Sequence, residues 1–99
     1  MAIEFRTVSL VIPNGKKRRT IAGSANFSGP VVKATVAMNG FKLDYTSNDH
    51  HISIIEADTD FVSIVGATVN FRVECDYADK DADDPYSGYI TTLIIAEVQ

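Results

Sequence analysis

ATVNFRVECDY, residues 67–77, alternates without a break: Ala67, Val69, Phe71, Val73, Cys75 and Tyr77 fall on one side of an extended chain, and Thr68, Asn70, Arg72, Glu74 and Asp76 fall on the other. Successive side chains of a strand point to opposite faces, so this pattern predicts a strand with one face buried and one solvated, as antiparallel sheets permit. Cys75 lies on the apolar side and reads as a small core residue rather than a nucleophile.

Working outward, further strands are predicted over residues 3–12, 19–27, 31–45, 51–56 and 86–98, rich in β-branched side chains. Between them Pro13-Asn14-Gly15, Ser28-Gly29-Pro30 and residues 46–49 and 79–85 have turn compositions. No window carries an apolar stripe at helical spacing. The expected fold is all-β, a small six-stranded antiparallel sandwich.

Two strands carry finer signals. In VVKATVAMNGFKLDY, residues 31–45, the apolar row Val32, Ala34, Val36, Met38 passes to Phe41, Leu43, Tyr45 after Asn39-Gly40. A one-residue slip inverts every side chain, so a bulge at Gly40 is the economical reading, with an Asn-Gly hairpin as its competitor. In the last strand Ile90, Ile94, Ala96 and Val98 share one face, while Leu93 and Ile95, with Tyr89 beside them, share the other. Only one side of a small sandwich meets the core, so the second row is expected to be a subunit interface.

A chain of 99 residues makes one domain, residues 1–99, and folding at this size hides only about 60–70% of the unfolded surface, which favours oligomers. No run reaches the roughly 18 apolar residues of a membrane span. MAIEFRTVSL lacks the apolar core of a signal peptide, so synthesis in the cytoplasm is expected, with release or association with a phage or fibre left open. A single cysteine excludes an internal disulfide framework and the multi-cysteine metal motifs.

Net charge is −4, but residues 1–50 hold seven Lys/Arg against three Asp/Glu and residues 51–99 hold two against ten. The run Lys16-Lys17-Arg18-Arg19 reads as a solvated hairpin tip; its sharper reading pairs it with the acidic loop of another subunit. The acidic total and the lack of interleaved aromatics argue against nucleic acid as a partner. Asp79, Asp81 and Asp83 match the first three EF-hand ligand positions, but Asp84 stands where the turn glycine belongs and Ile90 where the bidentate glutamate belongs, so no metal is expected. His50 and His51 are adjacent and face opposite ways in a strand. No nucleophile–base or phosphate-loop pattern is present, and neither an enzyme nor a cofactor is expected.

From residue 25 to residue 98, the strand order, with GFKLDY ahead of Asp49-His50-His51 and Tyr86-Ser87-Gly88 opening the last strand, resembles the H-type lectins. Asn26-Phe27-Ser28-Gly29-Pro30 is similar to the family's F-x-x-P entry to the third strand. GFKLDY is similar to its apolar-x-apolar-Asp turn, ending near Asp44, and Tyr86 to a tyrosine lining its sugar site. The resemblance implies a β-sandwich that assembles as trimers or hexamers and binds glycans of the galactose or N-acetylgalactosamine type at subunit boundaries. It implies sugar-binding roles for His51, Asp76, Tyr77, Tyr86 and Asp44: Tyr77 or Tyr86 as stacking platform, the others as hydroxyl partners. The chain departs from the pattern where the family has an arginine at the position of His51 and a Trp-His pair at Asp76-Tyr77, and it contains no tryptophan. Its segment 13–17 is also shorter than the loop that supplies a sugar-binding aspartate in some members. These departures fit either a shifted sugar specificity or a structural module that uses the sandwich only to trimerise, as in a phage-tail or secreted-fibre assembly.

Overall fold

The computed structural model describes residues 1–46, 52–78 and 84–99. Their regular elements are all strands: β1 (Ala2–Gly15), β2 (Arg19–Asn26), β3 (Val31–Tyr45), β4 (Ile54–Val65), β5 (Thr68–Ala78) and β6 (Tyr86–Val98). They form two antiparallel three-stranded sheets, the first ordered β1-β6-β3 and the second β2-β5-β4. The all-β, six-stranded antiparallel architecture expected from the sequence is therefore present, and no described helix could cross a membrane.

Alternation builds the core. Val69, Phe71, Val73 and Cys75 of β5 are buried against Ile90, Ile94, Ala96 and Val98 of β6, so the two central strands face each other across the sandwich. Each such aliphatic or aromatic side chain contributes roughly 1.5–3 kcal/mol. Thr92 is the one polar residue in this inner row, and its hydroxyl donates to the Val8 carbonyl at 2.8 Å. The core thus tolerates it without an orphaned donor.

The bulge expected at Gly40 is present: the partner of β3 moves from Thr92 at Met38 to Thr91 at Gly40, leaving Asn39 as the extra residue and β3 unbroken. A second bulge between Val31 and Lys33 corrects the apolar row, because it turns Val31 into the core and leaves Val32 outside.

Three other expectations are revised. Pro13-Asn14-Gly15 does not end β1, which runs on to Gly15 through a register shift after Ile12. The basic run is no hairpin tip, since β1 and β2 belong to different sheets and Lys16 to Arg18 span the corner between them. The strand predicted over residues 51–56 instead runs from Ile54 to Val65, with His51 outside the described residues. Its inner positions Ala57 and Thr59 are small or hydroxylated and Val62 is a bulge, which dilutes the period-2 signal. β4 returns into β5 through Gly66-Ala67, Val65 pairing with Thr68. Gly66 has φ of 60°, the conformation a two-residue hairpin asks of its first central residue.

Candidate functional site

One end of the sandwich gathers Tyr45, Tyr77 and Tyr86. Tyr86 opens β6 opposite both Gly15 and Tyr45, and at 0% exposure its ring has no free face. The Arg19 guanidinium lies over it at 4.6 Å, and the Tyr86 hydroxyl contacts the carbonyls of Lys17 at 2.5 Å and Cys75 at 3.2 Å. Burial pushes the Tyr86 pKa up to about 12, and it raises that of the Cys75 thiol as well. A ring held this way pins the β1–β2 corner to the core; the role of stacking platform implied for it does not fit its burial within the protomer.

The remaining expected site residues separate. Tyr77 is half-buried between the sheets, its ring 4.7 Å from that of Tyr45. Asp76 projects from the outer face of the second sheet, opposite Glu56. Asp44 projects from the outer face of the first sheet, opposite Ser87. The two aspartates therefore stand on opposite sides of the sandwich, and one ligand on one protomer does not reach both. His51 and the carboxylates Asp79, Asp81 and Asp83 lie outside the described residues.

Around Asp44 the first sheet forms an open groove of about 640 Å³. Register places Tyr89 between Val11 on β1 and Lys42 on β3, and Ser87 beside Asp44, so alternate outward positions of three strands converge. Asn14 and Thr46 close its end. Tyr89 remains 43% exposed, an accessible aromatic face ringed by a carboxylate, an ammonium, an amide and two hydroxyls. This combination presents an apolar surface together with hydroxyl-directed donors and acceptors. The sequence announced Asp44 but not its neighbours: Tyr89 stood out only as a companion of the apolar row, and Asn14 read as a turn residue. Their convergence depends on pairing between strands distant in sequence, which no local pattern encodes.

The β3 backbone approaches β6 closely beside this groove. A Cβ on Gly88 would lie 1.7 Å from the Lys42 carbonyl oxygen, so a glycine is required there.

The outer faces of the two sheets differ in chemistry. On the second sheet Arg18 pairs with Glu56 at 2.8 Å and Glu74 at 2.5 Å, and Arg72 pairs with Glu74 at 3.3 Å and Asp60 at 3.6 Å. Glu56 first and Glu74 second raise the Arg18 pKa, keeping it charged. Arg18 thus meets carboxylates of its own protomer. The first sheet instead shows Ile3, Phe5, Val11 and Tyr89 exposed around half-buried Leu93 and Ile95. Among the described residues no group of His, Cys, Asp and Glu is arranged to hold a metal ion. Comparison with protein-family models, curated proteins and solved structures gives no match to this chain.

Proposed function

We propose that this chain is a carbohydrate-binding, lectin-like module that acts as a homo-oligomer, with the groove at Tyr89 as its sugar site. The observation that carries this reading is the pairing of an exposed aromatic face with Asp44, Lys42, Asn14 and Ser87 in one open groove. A pyranose laid on Tyr89 would place its apolar C–H face on the ring and its rim hydroxyls toward these polar groups. The resemblance to the H-type lectins names the glycan class to try first, galactose and N-acetylgalactosamine. The groove sits at one end of the apolar outer face of the first sheet, so an oligomer built on that face would bring the site to a subunit boundary. Several weak sites on one particle then gain by avidity.

The test is a glycan array and titration with the purified protein. Tyr89→Ala is expected to weaken glycan binding about tenfold through loss of about 1.4 kcal/mol of ring contact, with its mass by light scattering read alongside to separate loss of the ring from loss of the assembly. Asp44→Ala is expected to act in the same direction. Normal binding by Tyr89→Ala moves the site elsewhere. A second reading, a trimerisation module without sugar binding, draws on the apolar outer face itself, and a stable oligomer that ignores every arrayed glycan would favour it.

A further inference from the structure

Each sheet ends in two edge strands, and an edge with unpaired backbone groups accepts a further strand unless something prevents it. Among the described residues, three of the four edges carry such a device. β1 has Glu4 and Arg6 at inward positions, opposite Ala96 and Ile94, and its register slips after Ile12. β2 has only eight residues, with Arg19 at an inward position opposite Cys75 and the Asn26 carbonyl occupied by Arg6 Nε at 3.0 Å. β3 is bulged twice and carries exposed Lys33 and Lys42.

β4 differs from Ile54 to Phe61. This run pairs with β5 in unbroken register, the bulge coming only after Phe61, and it contains neither proline nor lysine. Its inward column is Ile55, Ala57, Thr59 and Phe61, opposite Tyr77, Cys75, Val73 and Phe71. Inward apolar side chains of a completed sandwich are covered, yet Ile55 is 56% and Phe61 46% exposed. Ala57 and Thr59 between them are small, so the column is low in the middle and high at both ends.

The outward column of the same run is Glu56, Asp58 and Asp60, three carboxylates and no base. Two of them stand directly opposite like charges on β5, Glu56 against Asp76 and Asp58 against Glu74, an arrangement that costs stability. Arg18 answers Glu56 and Glu74, and Arg72 answers Glu74 and Asp60. Asp58 is exposed and has no ion pair among the described residues. Its carboxylate accepts the Thr59 amide at 2.8 Å and keeps lone pairs for a further donor.

We propose that the β4 edge from Ile54 to Phe61 receives an extended segment of a partner protein, about seven residues that alternate apolar and basic side chains. Paired along β4, such a segment turns its apolar side chains into the low stretch at Ala57 and Thr59 and its basic ones toward Asp58 and the flanking carboxylates. A second copy of this chain is the wrong occupant, because antiparallel pairing of β4 with β4 sets one row of carboxylates beside another. The edge belongs to the second sheet, away from the groove at Tyr89 on the first, so strand addition there is independent of sugar binding.

The probe is a short peptide of alternating valine and lysine with blocked ends and a fluorophore, titrated with the full chain by anisotropy. It is expected to bind about tenfold tighter than a block peptide of the same composition, valines first and lysines last, while the alternating peptide with glutamate for lysine does not bind. Asp58→Lys is expected to weaken the alternating lysine peptide about tenfold. Amide hydrogen exchange is expected to show new protection in β4 on binding and none in β1, β2 or β3. Equal affinity for the alternating and block peptides would reduce the effect to net charge and overturn strand addition. An unmoved affinity in Asp58→Lys, or protection elsewhere than β4, would overturn it too. Protection of β4 that grows with protein concentration in the absence of peptide would make a second copy the occupant and overturn the basic partner. Thermal unfolding checks that Asp58→Lys is folded; should it not be, Asp58→Asn replaces it, with a loss of about threefold expected and an unchanged affinity overturning the contact.

Discussion

Tyr86 shows how strand parity decides what a residue singled out in a sequence touches within its own protomer. An aromatic residue at a strand start near polar loops is compatible with a ligand platform, but strand parity turns it inward, and burial leaves its hydroxyl to the Lys17 and Cys75 carbonyls. Its folded pKa of about 12 exceeds the ordinary value of 10.0, so its contribution to stability is full below pH 10 and is lost as pH rises toward 12. Tyr86→Phe is expected to cost about 1–2 kcal/mol in urea unfolding at neutral pH, by removing the one hydroxyl donor shared by the Lys17 and Cys75 carbonyls, and to flatten this alkaline loss. Glu4 works at the opposite end of the scale. Hydrogen bonds from the Ser28 hydroxyl and amide lower its pKa below 4.5, so its contribution is present above that pH and disappears as pH falls through the lowered value. Ser28→Ala should lower stability at neutral and higher pH, with the difference from wild type closing as pH falls below 4.5, as urea unfolding at a series of pH values would record.

At the scale of elements, legibility followed burial. β5 and β6 are central strands, and the alternation of Val69, Phe71, Val73 and Cys75 gave both their extent and their inner face. β4 is an edge strand whose inner positions need not be large or apolar, and most of its length was missed. The bulge at Asn39-Gly40 was readable because it inverted an otherwise clear row; the one near Val32 was not, because Val31 and Val32 are chemically alike. The same division applies to the candidate groove: Asp44 was singled out through the resemblance of GFKLDY, while Tyr89, Lys42 and Asn14 come together with it only through strand register. Register also dictates Gly88, whose missing Cβ admits the β3 backbone. Gly88→Ala is expected to destabilise by more than about 3 kcal/mol, since the clash is with backbone atoms that no rotamer change relieves. Gly29→Ala, whose nearest neighbours would be 3.4 Å away, should stay within about 0.5 kcal/mol in the same denaturation experiment.

For the molecule as a whole, the contrast between a charged outer face and an apolar one implies different responses to salt. The Arg18–Glu74–Arg72 ladder is largely solvent-exposed, so molar sodium chloride should change protomer unfolding by less than about 1 kcal/mol. Sodium sulfate, which strengthens apolar burial, should lower the concentration at which the proposed homo-oligomer dissociates, as sedimentation would record. The strand order also governs when the chain can fold. β6 is the centre of the first sheet and is made after the other five described strands, and β1, made before them, pairs with it from Ala2 opposite Val98 to Gly15 opposite Tyr86. Until β6 emerges, β1 and β3 have no partner in their sheet, whereas the β4–β5 hairpin can close locally. Nascent protomers therefore carry two unpaired strands until β6 emerges, and their free edges are open to premature contact between neighbouring chains on one message.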